Sequence, residues 1–209
     1  MKNALVALMV MAAVLTAGEN KKETKVWEPY KFKGTEHFKY ALTVKDEDGK
    51  TQKGEYVIDL SKQGEKYKIK INGSFAGNEG SVSTTVDDAS SISGVIFGQM
   101  IFNPWLTPLT TTLFANAFMA VFTSGAFAGG LEEGSHWSYK SKDGDKVEFN
   151  VKGECKYAGR KGKLLTMKSN GKTVYETCID PEVALPIYVK YIDKDDGTFS
   201  SMELVEYKE

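Results

Sequence analysis

The sequence predicts a mainly β domain, an antiparallel sheet of about ten short strands interrupted by a helical insertion. Two observations carry this. Over most of the chain, apolar and polar residues alternate with period two between Asp- and Gly-rich turns, as in strands that bury one face. Between Ala89 and Leu131 the alternation stops, and 43 consecutive residues hold no Asp, Glu, Lys or Arg in a chain that is 26% charged. Helices do not alternate with strands, which disfavours a parallel α/β sheet.

The elements follow in order. Met1-Lys2-Asn3, then an uncharged run from Ala4 to Ala17, has the form of a secretory signal, so residues 1–18 are expected to be removed after Ala17 or Gly18. The run is shorter than the roughly 20 residues of a membrane span, although an uncleaved anchor is the alternative. Leu15-Thr16-Ala17-Gly18 resembles the start of a lipoprotein processing box, but Glu19 stands where the lipidated Cys belongs. Residues 19–29 read as a spacer and 30–207 as a single domain, whose insertion is 89–131.

Within that domain Phe38, Tyr40, Leu42 and Val44 alternate with His37, Lys39, Thr43 and Lys45, and Asp46-Glu47-Asp48-Gly49 turns the chain. Tyr56, Ile58 and Leu60 make the second strand. Tyr67, Ile69 and Ile71 make the third, with Lys66, Lys68 and Lys70 outward, and Val82, Thr84 and Val86 the fourth. Six more are expected after the insertion. They are marked by Trp137 and Tyr139, by Val147 to Tyr157, by Leu165 and Met167, by Val174 to Cys178, by Ile187 to Tyr191, and by Met202 and Leu204. Asn170-Gly171 is the strongest two-residue hairpin signal in the chain.

Inside the insertion the period changes. Ser90 or Ser91 caps a predicted helix that Asn103-Pro104 ends. Thr107-Pro108 starts a second, in which Leu109, Leu113, Ala117 and Val121 share a face, with Phe114, Phe118 and Phe122 beside them. That helix is apolar around most of its circumference, unlike a one-sided surface helix. A sheet, a membrane or a ligand must cover it.

Composition removes several functions. A formal net charge of −1 offers no basic field for a nucleic acid. No H-E-x-x-H, G-x-S-x-G or Gly-rich phosphate loop is present, and the two histidines, His37 and His136, read as solvated strand positions. The acidic runs Asp46-Glu47-Asp48-Gly49 and Asp193-Lys194-Asp195-Asp196-Gly197 lack EF-hand spacing, since the twelfth position from Asp193 is Leu204, and they read as hairpin turns. Asn72-Gly73-Ser74 matches a glycosylation sequon by chance. No enzyme activity, metal or cofactor is expected. Cys155 and Cys178, an even count in an exported chain, favour a disulfide over two reduced core thiols.

A signal, meandering strands, an apolar helical insertion and further strands together are similar to the open half-barrel of Lol-type lipoprotein carriers and related lipid-binding envelope proteins. Gly134-Ser135-His136-Trp137-Ser138-Tyr139, Cys178-Ile179-Asp180-Pro181 and Leu185-Pro186-Ile187-Tyr188-Val189 also resemble a family of exported half-barrel domains of unassigned role. The resemblance implies a strongly curved antiparallel sheet wrapped around two apolar helices, with an apolar cavity between them. The expected function is therefore an extracytoplasmic, non-enzymatic protein that binds a lipid or other hydrophobic molecule. Ile96, Met100, Trp105, Leu109, Leu113, Phe114, Phe118, Phe122 and Trp137 are the candidate cavity residues. The alternative is a structural or interaction protein whose segment 89–131 docks on a membrane or an envelope protein.

Overall fold

A computed structural model describes residues 27–28, 31–88, 91, 103–109 and 131–209. Ten strands form: β1 (Glu36–Lys45), β2 (Thr51–Gln63), β3 (Lys66–Phe75), β4 (Asn78–Val86), β5 (His136–Lys140), β6 (Lys146–Tyr157), β7 (Arg160–Ser169), β8 (Lys172–Ile179), β9 (Tyr188–Ile192) and β10 (Phe199–Lys208). They build one open, curved antiparallel sheet in the order β4-β3-β2-β1-β10-β9-β8-β7-β6-β5. Four strands precede the insertion and six follow it, as the alternation predicts. The two meanders are joined where β10 pairs with β1. This places β4 and β5 at opposite edges, so residues 87–135 carry the chain from one edge of the sheet to the other.

Cross-strand partners share a face, so the register decides which side chains meet. One row runs Leu204, Tyr40, Tyr56, Gly73, Gly80, and the next runs Tyr207, Phe38, Ile58, Ile71, Val82. A third joins Leu42, Met202, Val189, Thr177, Leu165 and Val151 across six strands. Most of these residues are buried, and they define an inner face. His37, Lys39, Lys66, Lys68 and Lys70 fall on the other face, as the sequence pattern requires. Register shifts between Lys39 and Tyr40, between Val151 and Gly153, and between Met167 and Lys168 mark bulges, which bend the strands that carry them. Asn170 and Gly171 both take positive φ, 51° and 80°, as a type I′ hairpin demands.

Two apolar clusters cover the inner face. The larger includes Phe38, Tyr40, Tyr56, Ile58, Ile71, Met202 and Leu204 under Trp105, Leu106, Leu109 and Leu185. The smaller gathers Phe149, Val151, Leu165, Tyr175 and Val189 around Trp27 and Leu131. Trp27 precedes the expected domain start at residue 30, yet it is only 1% exposed and its Nε1 donates to the Val183 carbonyl at 2.9 Å.

The expectation of two apolar helices in the insertion is not supported among the described residues. Residues 89–90, 92–102 and 110–130, which hold most of both helices, lie outside them, as does the expected signal at 1–18. What is described is a 3-10 turn, Pro104–Leu106, followed by helical residues 107–109. Chemistry explains the tight turn. Pro108 has no N–H to offer the carbonyl of Pro104, so an α-helix cannot close its bonds across this pair; instead Leu106 N donates to the Asn103 carbonyl at 2.9 Å. Among the described residues no helix is long and apolar enough to cross a membrane.

Candidate functional site

One more row of the inner face reaches the rim. Register pairs Val44 with Ser200, Ser200 with Tyr191, Tyr191 with Tyr175, Tyr175 with Met167, Met167 with Phe149 and Phe149 with Trp137. The row crosses seven strands, and six of its seven side chains are apolar or aromatic. Its middle is buried, Tyr175 at 1% and Phe149 at 7% exposed, while its ends open. At the β5 end Trp137 stacks on Tyr139, 6.4 Å between centroids, and tilts against Phe149 at 5.3 Å. Tyr139 is 44% exposed and Tyr191, towards the other end, 40%.

At the Val44 end the row opens into a groove of about 500 Å³, lined by Val44, Lys45, Asp46, Glu47, Asp48, Tyr191, Thr198, Phe199 and Ser200. Its walls come from two hairpins. The β1–β2 turn closes with Gly49 N donating to the Asp46 carbonyl at 3.0 Å, and the β9–β10 turn with Gly197 N donating to the Asp193 carbonyl at 3.1 Å. Both acidic runs are therefore hairpin turns, as expected, and both flank the same opening. Ser200, the one polar member of the row, has its Oγ buried with no hydrogen-bond partner. Burial, followed by Asp193, Asp195 and Asp196, holds the Tyr191 phenol above its ordinary pKa. The carboxylates of the second turn thus act on the groove wall.

Of the sequence-predicted site residues, Trp105, Leu109 and Trp137 are described. Trp105 and Leu109 are 7% and 0% exposed and belong to the larger cluster. Trp105 packs where glycine makes room. A Cβ on Gly80 would stand 2.1 Å from the indole, and one on Gly73 would stand 2.3 Å from the Tyr56 ring, so the two aromatic rings lie against bare backbone. The same requirement accounts for Gly73 within the chance sequon. The Tyr56 hydroxyl donates to the Trp105 carbonyl. Trp137 sits on the open row instead. Ile96, Met100, Leu113, Phe114, Phe118 and Phe122 lie outside the described residues. Sequence pattern placed Tyr191 and Val44 on strands but not at a shared opening, because the β10–β1 pairing that joins them is long-range.

The cysteines lie near the ends of β6 and β8, where Cys178 is a buried member of the larger cluster and Cys155 packs against it. Cys155 and Cys178 form a disulfide, with Cα atoms 6.1 Å apart although β7 runs between their strands. A flat sheet would separate strands two apart by about 9.6 Å, so the sheet is sharply bent here. Gly162, the partner of Cys155 on β7, leaves room: a Cβ there would meet the Ile179 carbonyl oxygen at 2.5 Å and Cys178 Sγ at 3.0 Å. Beside the bridge Tyr157 stacks on Tyr188, 4.7 Å between centroids and 1° between planes. Asp180 is 5% exposed, accepts from Arg160 Nε at 2.7 Å and from Glu182 N at 2.9 Å, and so fixes the turn that leads to β9.

Burial first, then Tyr157, Glu176 and Glu203, pushes the Tyr188 phenol up to about 12. Burial also raises Tyr56 well above its ordinary value, and burial with the Glu36 hydrogen bond raises Tyr207. An unfolded tyrosine ionises near 10. The stability these raised values confer is present in full below about pH 10 and is lost as pH rises from there through about 12. In an alkaline titration, the last phenolate absorbance is expected to appear together with loss of the sheet signal in circular dichroism. Complete ionisation near pH 10 with the sheet intact would contradict this.

His37 Nδ1 lies 2.7 Å from Asp59 Oδ1, and His136 Nδ1 lies 2.9 Å from Asn150 Oδ1. Five strands separate β1 from β5 in the sheet. Among the described residues no group of three or more metal-binding side chains occurs.

No family model matches the chain. No curated protein matches it either. Among solved structures it is similar to MucB, at 10% identity and a TM-score of 0.42 over 84% of this chain and 53% of that one, so it spans about half the length of MucB. It is also similar to a β-barrel-like protein of the domain of unknown function DUF1849 from Brucella abortus, at 8% identity and a TM-score of 0.35 over 84% and 97% of the two chains. A DUF1329 family protein from Desulfovibrio piger follows, at 10% identity and a TM-score of 0.24 over 99% and 92%. At these values no neighbour's residue roles transfer to this chain.

Proposed function

We propose that this is an exported, non-enzymatic protein that holds a lipid or other hydrophobic molecule against the inner face of its sheet. The observation that carries the reading is the apolar row from Trp137 to Val44, which opens at its Tyr191 end into a groove of about 500 Å³, inside the size range of small-molecule sites. Position supports it too. Residues 87–135 start on one edge strand and end on the other, and their described part, Trp105 to Leu109, is buried in the cluster on the inner face. The Cys155–Cys178 bridge supports an extracytoplasmic location, where disulfides persist.

The test is binding of N-phenylnaphthylamine, a neutral fluorescent hydrophobe, together with native mass spectrometry of protein purified from membranes. Saturable binding and co-purified lipid are expected. Tyr191→Ser removes an exposed ring at little cost to folding and is expected to weaken the dye at least tenfold, or about 1.4 kcal/mol. Repeated recovery of empty protein with no dye binding would sink the reading. Retention of such protein in the membrane after carbonate extraction would favour the alternative, docking on a membrane or partner.

A further inference from the structure

We propose that the outer edge of β4 pairs with the same edge of a second copy of this chain, antiparallel and in one register, so that two sheets join across a two-fold axis. This is independent of the hydrophobic-ligand reading. The two edges of the sheet are not alike. β5 is five residues long and ends in Lys140, and shortness and a lysine are both devices that blunt an edge against pairing. β4 has nine residues, Asn78–Val86, with no Lys, Arg or Pro among them, and no register shift interrupts its pairing with β3. It lacks those protections.

The β3–β4 turn decides which backbone groups this edge presents. Ala76 and Gly77 both take positive φ, 53° and 79°, as in a two-residue type I′ hairpin, so Phe75 and Asn78 form the hydrogen-bonded pair that closes it. Bonded and non-bonded pairs alternate from there. Asn78, Gly80, Val82, Thr84 and Val86 therefore bond to β3, whereas the N–H and C=O groups of Glu79, Ser81, Ser83 and Thr85 point away from the sheet. All four of these residues are exposed, and among the described residues no backbone group bonds to them.

The occupant is a second copy because β4 is complementary to itself. With Val82 on the axis, Glu79 faces Thr85 of the second copy and Ser81 faces its Ser83, so every outward backbone group of both strands finds a partner. Slipping the register by two residues one way sets Glu79 against Asp87, two like charges, and the other way sets Thr85 against Gly77 in the turn. Side chains select the same register. Lys68 lies beside Thr85 on the outer face, and the next residue in that row is Glu79 of the second copy, about 9.6 Å from Lys68 between Cα atoms, within reach of two long side chains. Lys68 and Glu79 are both exposed, and among the described residues neither has an ion-pair partner. The two-fold axis makes this contact twice. On the inner face, Val82 meets Val82 of the second copy and extends the row that runs from Tyr207.

Sedimentation equilibrium of the purified protein at rising concentration is the test, since one strand pair makes a small, weakly associating interface. The weight-average mass is expected to climb towards twice the monomer value. Ser83→Pro keeps the β3 ladder, because the N–H it removes faces away from β3, and is expected to raise the dimer dissociation constant at least tenfold. Lys68→Glu and Glu79→Lys are each expected to weaken the dimer about threefold or more, and the two together to restore it, which a general loss of stability would not do. Under mild oxidation Val82→Cys is expected to cross-link two copies. Thr85→Cys, whose counterpart in the second copy lies six residues along the strand, about 20 Å away, is expected not to. A monomer up to millimolar concentration overturns the proposal, and so does a dimer that Ser83→Pro leaves unchanged or that cross-links as readily through Thr85→Cys as through Val82→Cys.

Discussion

Trp105→Ala is expected to lower stability by about 3–5 kcal/mol, the range for removing a buried aromatic side chain from a core. The indole is 7% exposed, and it occupies the space that Gly80 leaves open on β4. It stacks on Tyr56 with centroids 6.0 Å apart, and its own carbonyl accepts the Tyr56 hydroxyl. Truncation therefore does more than remove one ring. It leaves two adjacent glycines, Gly73 and Gly80, with one aromatic cover instead of two, in the part of the sheet least able to collapse because it has no side chains to relax. Water reaching Tyr56 would also bring its raised phenol back towards the ordinary tyrosine range. For a domain of this size, the loss corresponds to a fall in melting temperature of roughly 6–20 °C. Gly80→Val evicts the same ring from the other side, so the double variant should cost less than the sum of the two singles in a denaturation cycle. A loss below 1 kcal/mol for Trp105→Ala would mean that this ring does not support the core at Gly80 and Tyr56.

The strands were legible in the sequence because their signal is local. Phe38, Tyr40, Leu42 and Val44 alternate within one strand, and turns such as Asn170-Gly171 need only two residues of the right backbone preference. Ten strands in a four-plus-six division follow from that pattern alone. What was not legible is whatever depends on pairing at long range. Tyr207 lies beside Phe38 and Ser200 beside Val44 only because β10 returns to β1, and no local pattern announces that return. The opening between two acidic turns was therefore read as two unrelated hairpins. Trp105 was read as a candidate cavity residue because it is large and apolar; Gly80, whose bare backbone its ring lies against, sits on a strand 25 residues earlier. Gly73 and Gly80 are unusual inside strands and could have signalled a close approach. The two expected helices followed from apolar spacing. Asn103-Pro104 and Thr107-Pro108 were read as the break between them, and that is where the 3-10 turn lies.

Replacing both cysteines, Cys155→Ser with Cys178→Ser, is expected to destabilise by about 3.5 kcal/mol, from the entropy of closing a loop of this length. Their sequence separation is 23. This corresponds to a fall in melting temperature of roughly 7–14 °C. The bridge does a specific job. It passes β7 at Gly162 and holds β6 to β8 with Cα atoms 6.1 Å apart, where the sheet is sharply bent. The same bend brings Tyr157 of β6 onto Tyr188 of β9. Reduction should loosen that corner first. Hydrogen exchange is therefore expected to accelerate in Cys155–Lys163 and Cys178–Tyr188 more than in β1 to β3, whose core residues sit in the larger cluster and need no bridge. Cys178 is fully buried and Cys155 is not, so Cys178→Ser alone adds a buried hydroxyl to the loss and should cost more than Cys155→Ser alone. Equal exchange across the sheet would show that the bridge constrains only the unfolded chain. The groove end of the apolar row, at Val44, lies on the far side of β9 and β10 from this corner while its middle crosses β6 to β8, and hydrophobe binding in the reduced protein would then show how far the bend sets what the row can hold.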